Sequence, residues 1–294
     1  YYKFDITNEK KTNQNLLIAQ FYIGVLYFVS ELIPCDMNKS IHYLSLAADQ
    51  NYVSAQYTLG FLYEKGELIP RDMNKSIHYF SLAANQNDVK AQYNLGVLYS
   101  NGELIPQDMN KSIHYLSLAA NKNDVRAQYY LGKLYEEGKL ILRDMNKSIH
   151  YYSLAANKND VKAQYNLGVL YSKGELIPRD MNKGIHYLSL AANKNDVRAQ
   201  YNLGILYEEG KLIPRDINKS IYYYSLAADH DNEYAQFKLG VLYSNGELIP
   251  RDVNKSIYYL SLAANQNNAK AQFYLGMLYS NGELIPRDIN KSIY

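Results

Sequence analysis

Residues 89–124 read VKAQYNLGVLYSNGELIPQDMNKSIHYLSLAANKND, and near-copies of this stretch fill most of the 294-residue chain. The Ala-Gln dipeptide that starts at Ala91 recurs every 36 residues. We count positions in each copy from that alanine, so Gly96 is at +5 and Tyr99 is at +8. The alanines are Ala19, Ala55, Ala91, Ala127, Ala163, Ala199, Ala235 and Ala271. Each is accompanied by the same Gly and Tyr, and a fixed period of this length is the signature of a helical repeat array.

Each copy predicts two helices. Apolar and small residues within Val89–Ser100 recur at the spacing of one helix face, which predicts a first helix. Gly102 can adopt the left-handed conformation that ends a helix. Asp108 has the carboxylate of an N-cap residue for a second helix. The polar stretch 121–124 then ends the second helix and leads to the next copy.

Gly96 lies in the middle of the first helix, where Gly costs about 1 kcal/mol relative to Ala. We expect that its missing Cβ lets the paired helix approach closely. Because one helix pair buries little apolar surface, its stability must come from neighbouring pairs. The predicted fold is therefore an all-α, right-handed solenoid of tandem 36-residue helix–loop–helix repeats.

The repeat phase divides the chain. Asn13-Gln14-Asn15 aligns with Asn85-Gln86-Asn87, so residues 1–16 are interpreted as a degenerate second helix. Whole repeats follow at 17–52, 53–88, 89–124, 125–160, 161–196, 197–232 and 233–268, with a truncated repeat at 269–294. We expect a single solenoid over residues 1–294 that is a fragment of a longer protein.

Composition narrows the function. Lys and Arg number 31 and Asp and Glu number 29, which gives a net charge of +2. Nucleic-acid binding needs a clustered basic excess, so nucleic acid is not an expected partner. No apolar run approaches the roughly 18 residues of a membrane span, and no signal peptide opens the sequence. One cysteine, Cys35, cannot form a disulfide framework, and a cytoplasmic location is the default expectation.

Five histidines share one position of the second helix and invite a metal hypothesis. They are His42, His78, His114, His150 and His186. Helical geometry places them opposite the core-facing stripe, and one His per repeat cannot bring ligands within about 2 Å of one zinc ion. We interpret them as solvated surface residues and expect no metal site. No phosphate-binding loop, nucleophile motif or other catalytic constellation occurs, so we expect no catalytic residue, no cofactor and no small-molecule substrate.

A set of spaced residues forms a pattern that resembles the Sel-one-like repeat (SLR) family, a relative of the tetratricopeptide repeat. In one copy they are Ala91, Leu95, Gly96, Tyr99, Gly102, Asp108, Lys111 and Ala119-Ala120. The pattern recurs in eight copies and covers nearly the whole chain. Members of that family act as adaptors in protein assemblies, so the resemblance implies a scaffold. Ser112 departs from the family's usual small Ala, and Gln92 stands where tetratricopeptide repeats usually have Trp.

Positions −1, +2, +3 and +6 of the first helix lie opposite the predicted core stripe, and stacked helix pairs turn this side toward a concave surface. The residues are Lys90, Arg126, Lys162 and Arg198 at −1, Tyr93, Tyr129, Tyr165 and Tyr201 at +2, Asn94, Tyr130, Asn166 and Asn202 at +3, and Val97, Lys133, Val169 and Ile205 at +6. Tyrosines, amides and cations over apolar patches are typical of peptide recognition. We predict that the polar and aromatic members bind a partner, and ordinary solvated helix surface is the alternative interpretation.

The repeats also alternate. Arg126 and Glu136-Glu137-Gly138 recur 72 residues later as Arg198 and Glu208-Glu209-Gly210. This alternation indicates the duplication of a repeat pair.

Two functions remain open. The leading hypothesis is a non-enzymatic scaffold or adaptor that binds protein or peptide partners on the concave face. The alternative is a regulatory or substrate-recruiting array of a larger enzyme, such as a protein kinase, whose catalytic domain lies outside this sequence.

Overall fold

A computed structural model describes residues 2–29 and 34–281 of the chain. These residues form helices and loops, with no strand among them. The helices are α1 (Tyr2–Val29), α2 (Met37–Asp49), α3 (Val53–Lys65), α4 (Met73–Asn85), α5 (Val89–Asn101), α6 (Met109–Asn121), α7 (Val125–Glu137), α8 (Met145–Asn157), α9 (Val161–Lys173), α10 (Met181–Ala192), α11 (Val197–Glu209), α12 (Ile217–Asp229), α13 (Glu233–Asn245), α14 (Val253–Asn265) and α15 (Ala269–Asn281).

The chain divides into two compact units, residues 1–151 (unit 1) and residues 152–294 (unit 2). Within unit 1, each helix from α1 to α7 packs against the next helix along the chain. Within unit 2, the same succession runs from α9 to α15. Each unit is therefore a series of helix pairs in which every pair contacts its neighbours, as expected from the repeat period. A single solenoid over residues 1–294 stays a prediction.

The ends of the helices follow the sequence signals. Gly102 ends α5 with a φ of +68°, and the Asp108 carboxylate accepts the backbone N–H of Lys111 at 3.0 Å to cap α6. Both predictions are confirmed. The turn between consecutive repeats uses different residues. Asn123 has a φ of +69° and ends α6, and Asp124 caps α7 through a 3.0 Å hydrogen bond. Asparagine tolerates this conformation better than most residues.

The mid-helix glycine permits the close approach that was predicted for it. A Cβ placed on Gly96 would lie 2.5 Å from Cγ of Leu116, the buried side chain that α6 directs at α5. The same contact recurs in unit 2, where a Cβ on Gly240 would lie 2.6 Å from Cγ of Leu260. Ser112, the departure from the family pattern, uses this proximity, because its hydroxyl donates to the Gly96 carbonyl at 2.8 Å.

A buried glutamine joins each repeat to the one before it. Gln92 of α5 donates from Nε2 to the carbonyl oxygen of Ala84 in α4 at 3.1 Å. In unit 2, Gln236 of α13 donates in the same way to Ala228 of α12 at 3.2 Å. Each carbonyl also accepts a backbone N–H of the turn that follows its helix, from Asn87 at 2.9 Å and from Asp231 at 3.0 Å, so the glutamine adds a second donor at the end of the second helix. The residue that replaces tryptophan is thus a polar link between repeats.

The N-terminal region differs from the prediction. Residues 1–16 were expected to be a separate second helix, but α1 runs without a break from Tyr2 to Val29. Leu16 occupies the position of the capping Asp88 and has no oxygen that could accept the first backbone N–H groups of a new helix. The missing cap permits the continuous helix but does not enforce it, because Tyr52 also lacks a capping side chain and α3 still begins after it.

Candidate partner-binding face

We define the first-helix face as positions −1, +2, +3 and +6 on the first helices of the repeats, and each unit is considered separately. In unit 1, the guanidinium carbon of Arg126 lies 4.4 Å from the centre of the Tyr93 ring in the preceding repeat. The same guanidinium donates to the Asp124 carboxylate at 2.7 and 3.3 Å. Hydrogen bonding to Asp124 raises the pKa of Arg126. Arg126 is anchored in this way, yet 52% of its side chain stays exposed.

Unit 2 contains the same arrangement. The Arg198 guanidinium lies 4.1 Å from the centre of the Tyr165 ring, and it donates to Asp196 at 2.6 and 3.3 Å. Lysines occupy the −1 position in other repeats. Lys90 and Lys162 are exposed, and neither takes part in an ion pair within the described residues. The lysine copies therefore present a less constrained cation than the arginine copies do.

The expectation that positions +2 and +6 lie opposite the core is wrong for the tyrosines at +2 and the aliphatic residues at +6, whereas Lys133 at +6 is exposed as expected. Tyr93 and Val97 pack against a core cluster formed by α6 of their own repeat and α7 of the following one, and Tyr201 and Ile205 pack in the same way between α12 and α13. The physical reason is that each first helix has a neighbouring repeat on either side, so its apolar contacts extend beyond the stripe of a single helix pair. Burial raises the pKa of Tyr93 and of Tyr201. The rings of this row, including Tyr129 and Tyr165, are half-buried.

The +3 side chains form hydrogen bonds along the face. In unit 1, the Tyr130 hydroxyl donates to Oδ1 of Asn101 at 3.0 Å and lies 2.8 Å from the Ser100 hydroxyl, whereas Asn94 bonds to the hydroxyl of Tyr57. In unit 2, Asn166 donates to the Tyr152 hydroxyl at 3.0 Å. These contacts fix the orientation of polar groups that remain partly accessible.

Two equivalent clefts adjoin the first-helix face, one in each unit, and they were not predicted. The unit-1 cleft, about 370 Å³, lies between Ser100 and the side chains of Tyr130 and Lys133. The unit-2 cleft, about 320 Å³, lies between Ser172 and the side chains of Asn202 and Ile205, at positions 72 residues further along the chain.

A small residue at +9 is the signal that could have revealed these clefts. Ser100 and Ser172 occupy this position beside the clefts, whereas the repeats between and after them have Glu136 and Glu208. In unit 2, Glu208 fills the corresponding space, because its carboxylate accepts the Tyr224 hydroxyl at 2.6 Å and Lys238 at 2.9 Å. The alternation of repeats therefore decides whether position +9 leaves a cleft, as at Ser100 and Ser172, or fills the space, as at Glu208.

The second helices carry clusters of aromatic rings and ion pairs. The Lys111 ammonium lies 5.0 Å from the centre of the Tyr99 ring, which stacks on Tyr115 at 6.2 Å, and it pairs with the capping Asp108 at 3.3 Å. His42, His78, His114, His150 and His186 are exposed, and each has its edge against the next tyrosine. Among the described residues, no three His, Cys, Asp or Glu side chains come together as metal ligands would.

Tandem helix pairs with a glycine at the end of the first helix and an aspartate cap on the second define an all-α helical-repeat protein of the solenoid class. The Sel1 repeat pattern matches residues 17–52, 53–88, 89–124, 125–160, 161–196, 197–232, 233–268 and 269–294. The chain belongs to the Sel1 repeat family.

Solved structures agree with this assignment. One is c5321, a protective antigen present in uropathogenic Escherichia coli strains that displays an SLR fold. It is 29% identical, with a TM-score of 0.85 over 97% of this chain, and the match spans 61% of the length of that protein. A Sel1 repeat protein from Oxalobacter formigenes is 27% identical, with a TM-score of 0.79 over 99% of this chain and 85% of the other. A search of curated proteins gave no match. No helix in residues 2–29 and 34–281 has the length and apolarity to cross a membrane.

Proposed function

We propose that this chain is a non-enzymatic scaffold that binds protein or peptide partners through its first-helix face. One observation carries the proposal: positions −1, +3 and +6 of this face vary between repeats, whereas residues that recur in most repeats serve the fold. Gly96 and Ser112 illustrate the second group, since both serve the contact between α5 and α6. A scaffold role agrees with the typical use of Sel1 repeats in protein interactions.

The chemistry of the face supports the same function. Half-buried tyrosines beside cations supply contact area with little loss of side-chain freedom, and Tyr and Arg are enriched among residues that dominate binding energy. Arg126 and Arg198 are held in place by their tyrosine and aspartate contacts before any partner arrives. A preorganised side chain loses less entropy on binding. The exposed cations favour a partner segment with acidic side chains.

The experiment uses a displayed random-peptide library selected against the full chain. Selected peptides are then measured by fluorescence anisotropy against the variant Lys90→Glu/Lys162→Glu, which reverses one exposed cation on the face of each unit. Affinity is expected to fall about tenfold or more, which corresponds to about 1.4 kcal/mol. These lysines are chosen because they do not hold a capping aspartate as Arg126 does.

The matched control is His114→Glu/His186→Glu, which changes two exposed second-helix positions, again one in each unit. This control is expected to retain the affinity of the unmodified chain. Equal affinity of every selected peptide for both double variants would contradict the proposed face.

A further inference from the structure

The first helices of the described residues end in two kinds of sequence. Asparagine precedes the terminal glycine at Asn101-Gly102 in unit 1 and at Asn245-Gly246 in unit 2. Lysine or glutamate precedes it at Lys65-Gly66, Glu137-Gly138, Lys173-Gly174 and Glu209-Gly210. A third such pair, Asn281-Gly282, includes a glycine outside the described residues. All six described glycines have a positive φ, from +62° to +71°.

The backbone of the two Asn-Gly turns is bonded differently. In the other four turns, the glycine N–H donates to the leucine carbonyl four residues earlier, at 3.2 to 3.4 Å. Within the described residues, no backbone carbonyl accepts the N–H of Gly102 or of Gly246. The nitrogen that follows each of these asparagines is therefore not held in a helix-ending hydrogen bond.

The side chain of the following loop also bonds to a different backbone carbonyl in the two kinds of turn. Arg179 donates to the carbonyl of Lys173, the residue directly before the glycine, at 2.9 Å. In the Asn-Gly turns, Gln107 donates to the carbonyl of Ser100 at 2.7 Å and Arg251 donates to that of Ser244 at 2.9 Å, one position earlier in each case. The two Asn-Gly turns thus share one geometry in both units.

The side-chain amides are exposed and polarised. Oδ1 of Asn101 accepts the Tyr130 hydroxyl at 3.0 Å and lies 3.3 Å from the Ser100 hydroxyl, which also donates to the Val97 carbonyl at 2.9 Å. Oδ1 of Asn245 lies 3.1 Å from the Ser244 hydroxyl, whose proton it shares with the Val241 carbonyl at 2.9 Å. A hydrogen bond to the amide oxygen withdraws electron density from Cγ and makes that carbon a better electrophile. Both asparagines are exposed to water.

We propose that Asn101 and Asn245 are sites of spontaneous deamidation. The backbone nitrogen of Gly102 loses its proton to solvent base and attacks Cγ of Asn101. The new C–N bond closes a five-membered succinimide, and the side-chain nitrogen leaves as ammonia. Water then opens the ring at either carbonyl and yields aspartate or isoaspartate. The net reaction consumes one water and releases one ammonia without oxidation or reduction, and Gly246 reacts with Asn245 in the same way.

The modification changes the surface of unit 1 where it adjoins the first-helix face. The Asn101 side chain lines the unit-1 cleft, which already contains the carboxylates of Glu103 and Glu137. Deamidation adds a third negative charge beside the Tyr130 hydroxyl. A new negative charge at the C-terminal end of α5 is also unfavourable with respect to the helix dipole. An aged chain therefore presents a more acidic cleft than a newly made one.

The test incubates the purified full chain at mildly alkaline pH and follows every asparagine by proteolysis and mass spectrometry. Asn121 and Asn265 are built-in controls, because both are exposed last residues of helices but precede Lys and Gln. Asn101 and Asn245 are expected to convert about tenfold faster or more than these controls, a barrier difference of about 1.4 kcal/mol. Equal rates would overturn the proposal.

Two further measurements test its parts. Asn101→Lys reproduces the Lys-Gly turn found elsewhere in the chain and is expected to abolish isoaspartate labelling in the α5 peptide but not in the α13 peptide. Amide hydrogen exchange is expected to be faster at Gly102 and Gly246 than at Gly66, Gly138, Gly174 and Gly210. Equal protection of all six amides would show that the structural basis is wrong.

Discussion

The cleft beside Tyr130 in unit 1 and the cleft beside Asn202 in unit 2 are built by the same repeat positions but have different linings. Tyr130 and Lys133 make the first polar, whereas Ile205 makes the second more apolar. The contacts between the paired helices are nearly the same in both units. Leu116 packs against Gly96, and Leu188 packs against Gly168 at a comparable distance. The comparison teaches that the fold and the binding surface depend on different positions of the repeat.

The largest expected effect on stability comes from the mid-helix glycine, which both units use to pack the two helices of a repeat closely. Gly96→Val or Gly168→Val places side-chain atoms where Leu116 or Leu188 already lies, 2.5 to 2.7 Å from a Cβ. Overpacking of this kind costs about 1–3 kcal/mol, so the free energy of unfolding in urea should fall by a similar amount in both variants. Lys90→Ala and Lys162→Ala, at exposed positions of the same two helices, serve as controls. A loss in only one glycine variant would contradict the equivalence of the units.

The next effect concerns the caps of the first helices. Asp124→Ala and Asp196→Ala remove the N-caps of α7 and α11 and should each lower the free energy of unfolding by about 1 kcal/mol. Arg126→Ala retains the cap but loses the exposed ion pair and the tyrosine contact, so its loss should be smaller, about 0.5 kcal/mol. Urea denaturation measures both. A larger loss for the arginine variant would show that the pair, and not the cap, stabilises the junction.

A smaller effect on stability than that of the glycine variants is expected when residues that line the two clefts are exchanged. Tyr130→Asn/Lys133→Ile gives the first-helix side of the unit-1 cleft the residues found in unit 2, and Asn202→Tyr/Ile205→Lys does the reverse. Each exchange should lower the free energy of unfolding by about 1 kcal/mol, because Tyr130 and Ile205 both pack against core residues. A peptide selected for binding to one cleft should bind the cleft of the other unit after that cleft has received the same residues. Retention of the original preference after both exchanges would contradict the separation of fold from recognition.

The smallest effect is the pH dependence of the second-helix caps, which should be alike in both units. The backbone N–H of Lys111 holds the pKa of Asp108 below its usual value, and Asp180 has the same shift from Lys183. A depressed folded-state pKa contributes stability above the unfolded value of about 4 and loses it as the pH falls further. The thermal midpoint of the unmodified chain should therefore decrease as the pH falls below that value. The thermal midpoint of Asp108→Asn should decrease less steeply with pH, because the variant has one fewer titrating cap. An unchanged slope would contradict the assigned role of the cap.

Local chemistry explains which parts of the fold were predictable. Gly102 and Asp108 obey rules that depend only on neighbouring residues, so the helix ends could be read from the sequence. The burial of Tyr93 could not, because it depends on how the next repeat packs. The continuous α1 was missed for a different reason: the repeat phase predicted a break, and the missing cap at Leu16 permits a continuous helix without enforcing it. The binding role of the first-helix face stays a prediction.

The direct measurement of the central claim is hydrogen exchange of the full chain with and without a library-selected peptide. The account predicts that protection appears in first helices, at α5 and α7 of unit 1 or α9 and α11 of unit 2, and not in the histidine-bearing second helices. Protection confined to α4, α6 or α10 would contradict it, because the partner would then occupy the second helices instead of the first-helix face.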